Sequence, residues 1–163
     1  MKKLLFLPIF LLFCSGVFAQ EDTTAVYERF PTIPQFTLYK APDSTAFTRQ
    51  DLQKRKPVVF IIFSPDCEHC QHETEMLLAD INKFKNAQIV MVTYLPYADM
   101  IAFYKNYKIA NYPEITMARD TKYFLPVFFK VRNLPSIFVY DKKGNFKKRF
   151  EGSVKPDLIS DEL

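Results

Sequence analysis

Val58-Val59-Phe60-Ile61-Ile62-Phe63 runs without a polar residue into Ser64-Pro65-Asp66-Cys67-Glu68-His69-Cys70. A strand covered on both faces is apolar throughout rather than alternating, so the run predicts a central strand of a buried, mostly parallel sheet. Downstream, Leu77, Ile81 and Phe84 recur at i, i+4, i+7, the stripe of an amphipathic helix. Cys67 therefore falls in the first turn of that helix. Unpaired backbone N–H groups and the helix dipole there favour a negative thiolate. Such surroundings lower a thiol pKa from about 8.5 toward roughly 3.5–7.5 at Cys-x-x-Cys sites. Cys70, one turn deeper, is the expected resolving partner. Two cysteines so placed make a redox switch more readily than a staple.

The chain has 163 residues and three cysteines. Lys2 and Lys3, then the apolar stretch Leu4 to Phe13, then Val17-Phe18-Ala19 before Gln20, read as a signal peptide over residues 1–19. The apolar part is too short for a bilayer span, which takes about 20 residues. A lipid anchor at Cys14 is the rival reading; such a cysteine normally follows a small residue, and Phe13 is not small. Cleavage leaves only Cys67 and Cys70, the content of an exported protein capable of thiol–disulfide chemistry. Residues 20–163 suffice for one ordinary domain. The formal charge of +4 falls to +2 without Lys2 and Lys3, too mild to argue for nucleic acid. Lys54-Arg55-Lys56 and Lys142-Lys143…Lys147-Lys148-Arg149 read as solvated turn and strand-edge charges. Aromatics reach 16% without a tryptophan, which points to packing.

Taken in order, Gln20 to Pro34 is polar and predicts a flexible lead-in. Gln35 to Tyr39 predicts a first strand, and Thr48 an N-cap for a short helix through Leu52. Pro57 opens the central strand, and Ile89 to Tyr94 forms the next. Tyr97 to Tyr107 is helical with Ile101 and Tyr104 inward. Ile115 to Met117 is a short strand, and Asp120 an N-cap. Tyr123 to Lys130 is a helix that Pro126 truncates or kinks, with Phe124, Phe128 and Phe129 in the core. Ser136 to Tyr140 and Phe146 to Phe150 form a hairpin around Lys142-Lys143-Gly144-Asn145. Pro156 to Leu163 closes as a short helix. Strands alternating with helices, then a hairpin, mean α/β with a mixed sheet.

A strand feeding Cys67-Glu68-His69-Cys70, a proline at 135 opening a strand, and the hairpin turn at 143–145 together resemble the thioredoxin fold. The N-terminal extension and the segment between strands are most similar to its exported TlpA/ResA-like branch of thiol–disulfide oxidoreductases. The resemblance covers roughly Gln35 to Val154 and implies a three-layer sandwich, a mixed central β-sheet flanked by helices, in a domain spanning residues 35–163. It also implies a cis peptide before Pro135 beside the cysteines, with the Leu134 backbone pairing with a bound substrate chain. Several positions depart from the family pattern. Asp66 replaces the tryptophan that commonly precedes the first cysteine, and Glu68-His69 replaces Gly-Pro. Ile61 stands where thioredoxin has a buried aspartate. The branch often carries a glutamate three residues after the second cysteine, which Glu73 matches. At i+3 it is placed to take the Cys70 proton; it reads equally as an acid favoured in the first turns of a helix.

The chemistry implied is thiol–disulfide exchange through a mixed disulfide, with Cys67 attacking and Cys70 resolving, and needs no cofactor. His69, if protonated, stabilises the Cys67 thiolate and makes the disulfide more oxidising. Glu68 and Asp66 push the other way. The branch favours a reductase of protein disulfides recharged by a membrane redox partner. His69, a residue also found in this slot in DsbA and disulfide-isomerase members, favours an oxidase or isomerase. Two other classes stay open. Cys67, His69, Cys70 and His72 form a cluster that suits copper or zinc delivery, although one helix cannot aim all four at one ion. A non-catalytic binding domain with a structural disulfide is the other; a peroxidase lacks its Pro and Thr ahead of the attacking cysteine. Ser160-Asp161-Glu162-Leu163 resembles a retention tail of the endoplasmic reticulum but lacks its first Lys or His. The signal favours the bacterial periplasm or envelope.

Overall fold

The computed structural model describes residues 24–163. The leader expected over residues 1–19, with Cys14, lies outside the described residues. In chain order the elements are α1 (Val26–Arg29), β1 (Thr37–Lys40), β2 (Ala46–Thr48), β3 (Val58–Ile62), α2 (Glu68–Ala79) and β4 (Gln88–Thr93). There follow α3 (Tyr97–Asn106), β5 (Ile115–Arg119), α4 (Phe124–Phe128), β6 (Ser136–Tyr140), β7 (Phe146–Glu151) and α5 (Pro156–Ser160). The strands form one mixed sheet in the order β2-β1-β5-β4-β3-β6-β7. Parallel pairing joins β3 to β4 and β4 to β5, while β6, β7, β1 and β2 enter antiparallel.

All five residues of β3 are buried, because helices cover both faces of the sheet. Val58, Phe60 and Ile62 face the layer holding α1 and α4, together with Val90, Val92, Phe138 and Tyr140. Val59, Ile61 and Phe63 face α2, α3 and α5, together with Ile89, Met91, Ile137 and Val139. The first layer is largely aromatic. Phe129 stacks on Phe138 with centroids 3.9 Å apart and also meets Tyr27, Phe60 and Phe128. Such ring pairs add about 0.5–1.5 kcal/mol beyond the area they bury. This is the three-layer α/β sandwich that the sequence led to expect.

Local expectations met several corrections. Residues 24–34 are not a loose lead-in: Ala25, Tyr27 and Ile33 are buried, and Thr32 bridges Asn145. Tyr27 is drawn in by Phe138 and Phe146, which no local pattern announces. Ala46–Thr48 is a strand paired with β1, too short to show periodicity. Thr48 precedes one 3-10 turn, Arg49–Asp51, whose Asp51 carboxylate accepts both the Thr48 N–H and hydroxyl. On α3 the inward residues are Met100 and Phe103, with Ile101 and Tyr104 half-buried beside them. On α4, Phe128 and Phe129 are core but Phe124 is 39% exposed, since it opens the helix on the outer face. Asp120 is not the N-cap expected of it, since Tyr123 holds that position, but its carboxylate reaches the first turn of α4 and accepts the Leu125 N–H at 2.7 Å. Pro126 falls in that helix's first turn, where its missing N–H costs nothing. No helix of the described residues is long and apolar enough to cross a membrane.

Phe129→Ala should cost about 3–5 kcal/mol in urea unfolding, the price of a large aromatic cavity. Val127→Ala, on the exposed side of the same helix, should stay within about 0.5 kcal/mol.

Candidate active site

Beyond Ile62 the ladder persists for one residue, the Phe63 N–H donating to Val92 O at 2.9 Å. The chain then turns. Cys67 N–H donates to Ser64 O at 3.2 Å, Gln71 Nε2 to Pro65 O at 2.9 Å, and the Ser64 hydroxyl to the Asp66 carboxylate. This turn sets Cys67 at the N-cap of α2 with an extended backbone. Cys67 is half-buried and Cys70 is 1% exposed; both are thiols. Burial pushes the Cys70 thiol pKa far up, reinforced by its contact with Cys67 and by the charges of Cys67 and Asp66, and opposed by the Ser64 backbone.

The antiparallel register of β6 on β3 brings the residues before Ser136 to the same end of the sheet. The Leu134–Pro135 peptide there is cis, and the Cys67 thiol lies 3.9 Å from Leu134 O. Glu73, one turn beyond Cys70, is 1% exposed. Its Oε2 accepts the Val154 N–H at 2.8 Å, whereas Oε1 has no hydrogen-bond partner among the described residues. Burial raises the Glu73 pKa to about 7 against the pull of that one bond. Glu68, His69 and His72 are exposed on α2. With Cys70 buried, the four Cys and His side chains do not share one centre, and among the described residues no group of three or more such ligands does.

Residues 152–154, which no sequence pattern singled out, tie the two sides of the site together. Gly152, at φ 74° where a side chain would strain, donates its N–H to Pro135 O at 2.8 Å. Ser153 Oγ donates to His69 O at 2.7 Å, and Val154 N–H meets Glu73. Tyr94 and Tyr123 also escaped sequence reading. Their rings meet edge-on at 4.8 Å. Burial raises the Tyr94 pKa, with Tyr123, Asp66 and Cys70 adding to it. Only the end of a strand marks Tyr94 in the sequence, and nothing local marks Tyr123.

A buried strand that delivers a Cys-x-x-Cys pair to a helix N-terminus, facing a cis-proline loop, defines a thioredoxin-type site. The chain belongs to the thioredoxin-like domain family, whose model matches residues 47–163. Solved structures share the fold. Mycobacterium tuberculosis DsbF is 24% identical with a TM-score of 0.67, the match covering 80% of this chain and 96% of that one. A secreted M. tuberculosis disulfide oxidoreductase homologous to Escherichia coli DsbE is 19% identical with a TM-score of 0.66, covering 78% and 93%. Bacillus subtilis StoA is 16% identical with a TM-score of 0.58, covering 80% and 98%. No curated protein matches the chain.

A buried carboxyl with a raised pKa binds its proton more tightly when folded than when unfolded. Its contribution to stability is therefore full below about pH 4.5 and lost as the pH rises through about 7. Glu73→Gln removes that dependence. The stability of the parent chain relative to this variant, from urea midpoints, should fall between those two pH values and then level off.

Proposed function

We propose that the chain is an exported thiol–disulfide oxidoreductase that reduces protein disulfides through Cys67 and Cys70. The observation that carries the reading is the placement of Cys67, half-buried at a helix N-terminus 3.9 Å from Leu134 O, with Cys70 buried one turn behind it. The Cys67 thiolate attacks one sulfur of a substrate disulfide, forms a mixed disulfide and releases the other sulfur as a thiolate. Cys70 then attacks Cys67 Sγ, closing Cys67–Cys70 and releasing the second substrate thiolate. Two electrons pass to the substrate. A buried thiol with a raised pKa needs a base for this step, and the unpartnered Oε1 of Glu73 is a fitting acceptor for the Cys70 proton. Leu134 and Pro135 present backbone to the substrate chain beside Cys67.

Protein thiols and disulfides are the partners, and a membrane redox partner returns the pair to the dithiol. The expected leader over residues 1–19 places the protein in the bacterial periplasm or envelope, soluble once cleaved, and a secreted oxidoreductase among the fold neighbours supports export. Glu68 and His69, exposed on the first turn of α2, tune the Cys67 thiolate in opposite directions. His69 supports a second reading, an oxidase or isomerase on the same chemistry.

With a small protein disulfide as substrate, Cys70→Ser should accumulate a mixed disulfide at Cys67, and Cys67→Ser should form none and lose turnover. Normal turnover by Cys67→Ser would remove the proposal. A reduction potential near about −270 mV or lower assigns the reductase direction, and one near about −120 to −180 mV assigns the oxidase or isomerase.

A further inference from the structure

Two basic runs far apart in sequence lie side by side in the fold. Lys54, Arg55 and Lys56 precede β3, while Lys142 and Lys143 form the turn after β6 and Lys147 is the second residue of β7. The register that pairs Val58 with Tyr140 brings these segments to one end of the sheet. Arg55, Lys142 and Lys143 line two adjoining hollows there, of about 570 and 240 Å³. Among the described residues none of the six cations is held in an ion pair. Asp141, the carboxylate nearest Lys143, is occupied by the N–H groups of Lys143 and Asn145 and the Asn145 side chain. Glu162, at the rim, is the other acidic side chain in those walls.

One further feature marks this face. Phe30 is 59% exposed, and its segment is fastened to the same turn: Thr32 bridges Asn145 and the Phe146 N–H donates to Pro31 O at 2.8 Å. An exposed aromatic ring on a segment tied to a basic turn is a pairing that suits a lipid headgroup boundary. At the opposite end, Cys67 is flanked by the exposed carboxylates of Asp66 and Glu68.

We propose that this end of the sheet docks on an anionic phospholipid surface and holds Cys67 pointing away from it. A negative bilayer attracts each basic side chain near its surface by roughly fivefold in affinity, and salt weakens the attraction. The six cations and Phe30 thus supply an orienting contact, while the opposite end stays open to substrate. This surface is independent of the redox assignment.

The test is co-sedimentation of the full chain with phosphatidylcholine vesicles, with and without about one-third phosphatidylglycerol. The leader, with Lys2 and Lys3 ahead of its apolar run, adds to the preference in every variant alike, so the difference between the parent and a variant that keeps the leader isolates the basic face. The expected result is a preference that is abolished in about 0.5 M salt. The triple variant Arg55→Gly, Lys142→Gln, Lys143→Gln should weaken it about a hundredfold. Its disulfide turnover should match the parent's and its unfolding midpoint should be no lower, since Arg55 stands at φ 63° where glycine is unstrained. A control of equal charge change, Lys105→Gln, Lys122→Gln, Lys155→Gln, should keep the preference. No preference in the parent chain, or equal loss in both triple variants, overturns the proposal. Retention on polyglutamate without a preference for anionic vesicles would also overturn it and assign the face to an acidic protein.

Discussion

The pairing of β6 against β3, with Ile62 opposite Ser136, is the constraint on which the site depends. Both strands are fully buried, so a slip of one residue would turn Phe60, Ile62 and Phe138 out of their layer. That register puts the turn after β3 and the peptide before β6 at the same end of the sheet. Cys67 and Leu134, 67 positions apart in the chain, meet there. The cysteine pair is local to the start of α2, but the backbone that faces Cys67 comes from another part of the chain.

Desolvation then does the tuning. Cys70 and Glu73 occupy one buried face of α2, and both are pushed toward their neutral forms. The thiol resists ionisation, and the carboxyl one turn further along titrates near neutrality, for the same reason: both are withdrawn from water. The three residues after β7 pack hydrogen bonds around this face. They bond to Pro135, His69 and Glu73 in turn, so the far edge of the sheet braces both sides of the cysteine pair.

The same register segregates the other end of the sheet. Turn chemistry at Asp141 to Asn145 needs polar residues and a glycine, Gly144 at φ 83°. The lysines there have no core to serve. Joined by Lys54 to Lys56, they give the molecule a charged end and a reactive end, separated by the length of β3.

The sequence by itself determined the architecture class and the place of the cysteine pair in it. An unbroken apolar run is diagnostic of a strand buried on both faces, and Cys-x-x-Cys after it has a defined place on the next helix. The proline of the cis-peptide loop was also legible, because family resemblance ties it to that motif. Only tertiary structure decided the rest. Short elements such as Ala46–Thr48 and Val26–Arg29 carry too few residues for a period, and their partners decide their state. Whether Met100 or Ile101 faces inward depends on how α3 lands on the sheet, which a helical stripe alone leaves open. Glu73 was visible as a residue, yet its raised pKa comes from surroundings supplied by α2 and the loop at Val154. The ties made by Gly152, Ser153 and Val154, and the gathering of two basic runs, join residues tens of positions apart. Contacts of that kind leave no local pattern in a chain, because they arise from strand register and packing rather than from the neighbours of any one residue.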